Sequence, residues 1–97
     1  MDNPLTDWRY GPLVDMFIYT LSHPDTKEVV YVGSTYLPES RKYAHKKRYS
    51  FIPVFEILEV IKNVRTGDRM GVYETETYWI HQFKAWGFKL TNINYTK

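Results

Sequence analysis

The 97-residue chain contains no cysteine, which excludes disulfide scaffolds, thiolate nucleophiles and Cys-based zinc sites together. Any bound metal must use oxygen or imidazole ligands. A long apolar run is also lacking: the opening MDNPLTDWRYGPLVD is polar, acidic and interrupted by Pro and Gly. That pattern fits neither a signal peptide nor a membrane span, and the expected location is the cytoplasm. With no internal repeat, low-complexity tract or linker, 1–97 reads as one domain, with 1–14 as an N-terminal extension. Net charge is small as well, and +2 taken alone says little about partners.

What is present places the chain among folded proteins. It is 43% apolar and 18% aromatic, and a chain of this length buries roughly 60–70% of the surface it exposes when unfolded. The basic residues are unevenly distributed. Five of the thirteen Lys and Arg residues lie in RKYAHKKR, Arg41 to Arg48, while Lys62, Arg65 and Arg69 flank the loop near Gly67. A solvated helix face is the usual meaning of such a run, and a binding role needs support from elsewhere.

Residues 15–21 (DMFIYTL) and 28–33 (EVVYVG) are β-rich and separated by the turn formers of SHPDTK, so they read as an antiparallel hairpin. Period-two alternation places Phe17, Tyr19 and Leu21 on one face and puts Tyr31 with Gly33, which allows Tyr19 and Tyr31 to share a side. Leu37 to Arg48 reads as a helix, with Pro38 at its first position and Thr35 or Tyr36 near the cap. VFEILEVI (54–61) suggests a third strand joined to the hairpin, followed by a basic turn, KNVRTGD. Gly71 to Trp86 is the strongest helical segment, with Gly87 as its stop and Val72, Trp79, Ile80, Phe83 and Trp86 as its apolar stripe. The expected fold is α+β: a small three-stranded antiparallel sheet flanked by helices.

Glu76 falls inside that stripe. A carboxylate drawn into apolar surroundings loses several kcal/mol of solvation unless a cation or hydrogen bonds replace it. Three readings stand: an ion pair with Arg41, a stripe drawn wider on the helical wheel than it is in the fold, or a ligand for Mg²⁺ or Mn²⁺, which prefer carboxylate oxygen. Arg41 and His45 lie four residues apart on one helical face. Taken with Tyr19 and Tyr31, they supply an oxygen base, a cation for phosphate, an imidazole and a metal-binding carboxylate, the set that phosphodiester hydrolysis requires.

The order of these residues resembles the GIY-YIG nucleases. The two motifs that name the family correspond to FIY (17–19) and YVG (31–33). Arg41 stands eight positions after Gly33 and His45 four further on, FEILE (55–59) resembles the third strand, and ETYWI (76–80) carries the family's metal-binding Glu. Asn92, in LTNIN, takes the place of an asparagine near the end of the domain, so the likeness runs from Met16 to Ile93. Phe17 replaces the first motif's Gly, and the segment between His45 and Phe55 is short.

The resemblance implies a metal-dependent DNA endonuclease using one Mg²⁺ or Mn²⁺ on Glu76. Tyr19 would take a proton from the attacking water, Tyr31 would position water or phosphate, Arg41 would steady the phosphate, and His45 would hydrogen-bond a tyrosine or the phosphate. Gly33 would let the chain come close to the scissile phosphate, while Lys42, Lys46, Lys47, Arg48 and Asn92 would contact nucleic acid. A tyrosinate at neutral pH costs about 4 kcal/mol, and the expectation is that Arg41 and the metal lower it. Sequence specificity would come from a homodimer or a protein partner. The alternative is a catalytically inactive nucleic-acid-binding module of the same fold.

Overall fold

A computed structural model describes residues 11–92. The first ten residues of the expected extension, and the tail from residue 93, lie outside them. Five elements follow in the order β1 (Leu13–Ser22), β2 (Val29–Thr35), α1 (Pro38–Lys46), β3 (Val54–Arg65) and α2 (Met70–Ala85). The strands form one antiparallel sheet in the order β2-β1-β3, as the α+β expectation has it. None of the described helices is long and apolar enough to cross a membrane.

Two boundaries differ from the sequence reading. Leu13 and Val14 belong to β1, where they pair with Arg65 and Val64, so the extension cannot reach residue 14. The partner stretch, expected as a basic turn, is therefore the end of β3. Asn63, at φ 55, absorbs the irregularity between the Val14 and Met16 pairings. Hydrogen bonds across the sheet outweigh the turn-forming character of KNVR.

The helices begin and end for local reasons. Pro38 occupies the first turn of α1, where its missing N–H is no loss, and the Thr35 hydroxyl accepts the Leu37 amide at 3.0 Å. Beyond α2, Gly87 takes φ 96, and Phe88 N–H donates to the Phe83 carbonyl while Gly87 N–H donates to that of Lys84. This is the left-handed stop that the glycine predicts.

α2 lays Val72, Ile80 and Phe83 against Met16, Ile18 and Val32 of the sheet. Each fully buried aliphatic side chain there contributes about 1.5–3 kcal/mol. Trp86 does not join this stripe: it follows the last helical residue and is 59% exposed, meeting Phe83 edge-on. The sheet's other face carries Tyr19, Tyr31 and Phe55, and α1 supplies His45 to it.

Candidate active site

The register seats the two tyrosines. Tyr19 pairs with Gly33 and Leu21 with Tyr31, so both phenols stand on one face as diagonal neighbours, ring centroids 6.1 Å apart. Gly33 makes this possible: a Cβ there would lie 2.6 Å from Tyr19 Oη and 2.7 Å from Tyr31 Cε2. The glycine's immediate task is thus to give two rings room over β2. Phe55, from β3, stacks on Tyr19 at 4.6 Å with planes 19° apart.

His45 closes the cluster. It is buried within α1, and its Nε2 lies 2.7 Å from Tyr19 Oη; its ring also sits 5.2 Å from that of Tyr31. Its Nδ1 is buried with no hydrogen-bond partner among the described residues. Burial lowers the His45 pKa, and the charges of Arg41 and Arg48 lower it further, so the imidazole is neutral at pH 7.

Burial also dominates both phenols. The Tyr19 pKa is pushed up chiefly by desolvation, then by Tyr31 and Glu76, with the charge and hydrogen bonding of Arg41 opposing. Tyr31 moves the same way, driven by burial and Glu76 and resisted by Arg41 and Arg48. Arg41 acts on Tyr19 in the expected direction, but without the metal expected beside it desolvation outweighs the guanidinium. Tyr19 is a neutral phenol, and the His45 Nε2 beside it accepts its proton in the tautomer that carries hydrogen on Nδ1.

Glu76 is buried in the middle of the α2 stripe, where the helical spacing puts it. Ser34 Oγ donates to its Oε2 at 2.5 Å, a hydroxyl contact where the sequence suggested Arg41. Desolvation raises its pKa, while Ser34 and the charges of Arg69 and Arg41 pull it back. β2 is an edge strand, so the two faces of the sheet meet along its border. Both tyrosines therefore feel the Glu76 charge although Ser34 and Gly33 point to opposite sides.

Beside that border a cleft of about 330 Å³ runs between the end of β2 and α1, with Ser34, Ser40, Arg41 and Arg69 among its walls. Arg69 Nη2 donates to Ser34 Oγ at 3.4 Å. Of the expected cations, Lys42, Lys46, Lys47 and Arg48 are all exposed, and Lys47 Nζ sits 4.9 Å from the centre of the Tyr43 ring. Arg48 is near enough for its charge to act on Tyr31 and His45.

Asn92 meets a different environment from the one expected. It is buried, its Oδ1 accepting the Val32 amide at 3.0 Å and its Nδ2 donating to the Val32 carbonyl at 2.6 Å. Its amide holds the edge of β2. Sequence reasoning passed over Ser34 and the position of Arg69. Strand alternation after Gly33 signals that Ser34 faces α2, but nothing in the sequence signals that Arg69 reaches it. No family model, no curated protein and no solved structure matches the chain, which leaves the geometry of its own residues to carry a functional conclusion.

Proposed function

We propose that this chain is a metal-dependent DNA endonuclease that hydrolyses phosphodiester bonds by tyrosine-assisted attack of water. The observation that carries the reading is the buried contact of 2.7 Å between Tyr19 Oη and His45 Nε2, beside Arg41 and within the field of Glu76. A phenol held neutral by burial cannot act as a standing anion. It can act by relay: Tyr19 accepts a proton from water as it passes its own to the neutral imidazole, so that no isolated tyrosinate forms. The tautomer required keeps a proton on Nδ1. Tyr31 orients the water, and Arg41 stabilises charge on the phosphate.

Glu76 suits a hard divalent cation. One carboxylate with waters and substrate phosphate oxygens is the usual manner of Mg²⁺ binding, and among the described residues no group of three His, Cys, Asp or Glu side chains offers an all-protein cage. Bound there, Mg²⁺ or Mn²⁺ would serve as a Lewis acid at the leaving oxygen. Rotation of Ser34 away from Oε2 would open the carboxylate to the ion.

Cleavage of plasmid and branched DNA with Mg²⁺ or Mn²⁺ tests this. Tyr19→Phe is expected to lower the rate by about 10²–10⁴-fold, and Arg41→Ala by about 10²–10³-fold. Unchanged cutting by Glu76→Ala would remove the metal role. One observation favours the inactive binding module instead: Glu76 is only 5% exposed and capped by Ser34. DNA binding without cleavage under any divalent metal would select that reading.

A further inference from the structure

We infer that Arg69 is a second phosphate-binding residue, gripping the nucleic-acid backbone from the wall of the cleft that faces Arg41. The inference rests on the proposed nucleic-acid reading and extends it to a residue outside the tyrosine cluster. Arg41 comes from α1 and Arg69 from the residue that caps α2, yet both line one cleft with the Ser34 and Ser40 hydroxyls. Both arginines are exposed. Glu76, whose carboxylate accepts the Ser34 hydroxyl, is buried behind it.

Arg69 also breaks a local rule. A helix N-terminus is the positive end of its dipole and favours Ser, Thr, Asp or an acidic first turn. Here the cap is a cation, its side chain makes no capping bond, and the first turn of α2 has no acidic residue. Among the described residues Asp68 accepts the Met70 amide, at 3.4 Å, and lines the separate groove between β3 and α2. Departures of this kind concentrate where a ligand supplies the missing partner. Two guanidinia with the Ser34 and Ser40 hydroxyls beside them around one cleft are suited to a phosphodiester, whose oxygens accept forked N–H donors. Ser34 links this wall to Glu76, so a phosphate held by Arg69 sits one hydroxyl away from the carboxylate.

The test is the salt dependence of binding to a fluorescein-labelled duplex, read by anisotropy in EDTA so that no cutting intervenes. Removing one cation from the phosphate backbone makes the slope of log affinity against log salt shallower by about one. Arg69→Ala is expected to do so, Arg69→Lys to retain the wild-type slope, and Lys62→Ala, which removes an equal charge from β3, to leave it unchanged. Arg69 and Lys62 are both exposed, so each variant is expected to stay folded at the assay temperature, which a thermal melt checks. An Arg69→Ala slope equal to wild type overturns the inference, even for an enzyme that cuts. A wild type that binds with the Arg69-dependent slope but never cleaves would sink the nuclease and leave the cleft standing.

Discussion

The two faces of this sheet follow opposite rules. On the α2 face, Met16, Ile18 and Val32 meet Val72, Ile80 and Phe83 in an apolar cluster of the kind a hydrophobic core favours, which Glu76 and Ser34 interrupt only at its β2 border. On the tyrosine face and along the β2 border, the buried groups include a phenol, an imidazole whose Nδ1 has no partner among the described residues, and a carboxylate, each with its charged form penalised by desolvation. The difference teaches that one face stabilises the fold and the other draws on that stability. Such a division is what a reactive site requires, since groups poised for chemistry are seldom at their own energetic optimum.

Ile80→Ala breaks the stabilising face most directly. The side chain is fully buried in the core, so truncation is expected to cost about 2–5 kcal/mol, read from chemical denaturation. A cost under about 1 kcal/mol would mean that α2 is not the main anchor of the sheet.

A matched pair of glycines sharpens the comparison with a smaller effect. Gly33→Ala places a Cβ against Tyr19 and Tyr31 and is expected to destabilise by about 1–3 kcal/mol. Gly71→Ala, in α2, meets nothing within 4 Å and is expected to stabilise by up to about 1 kcal/mol through helix propensity. If both changes moved the melting temperature in one direction, the clearance role of Gly33 would be lost.

Periodicity made much of this legible in the sequence. Two-residue alternation put Tyr19 and Tyr31 on one face, and helical spacing put Glu76 inside the α2 stripe, because both patterns are local consequences of backbone geometry. What escaped was tertiary. The end of β3 hid behind turn-like residues because its partners, Leu13 and Val14, stand far from it in the chain, at the start of β1. The direction of the Tyr19 pKa escaped as well, since a sequence reveals Arg41 nearby but not the depth of burial that outweighs it. Asn92 shows the same limit: its type suggested a ligand contact, and its position gave it a backbone to hold.

The smallest effect is the most diagnostic of the division between the faces. Burial raises the Glu76 pKa above its ordinary 4.5, so between that value and the raised one the folded chain holds a proton the unfolded chain has released. Stability from this group is therefore complete below 4.5 and falls as pH rises through the window. His45 acts with the opposite sign: its pKa lies below its ordinary 6.5, so its contribution is present above 6.5 and is lost as pH drops. Glu76→Gln removes the first trend and leaves the second. The variant is expected to be more stable than wild type at pH 7, by up to about 1 kcal/mol, with the advantage shrinking on acidification, while cleavage is abolished. Thermal melts of both proteins from about pH 4 to pH 7 read the difference, which isolates Glu76 because every other titrating group is common to the two. A variant less stable than wild type at pH 7 would show that the Ser34 bond outweighs the desolvation of the carboxylate, and that this part of the border belongs with the stabilising face after all.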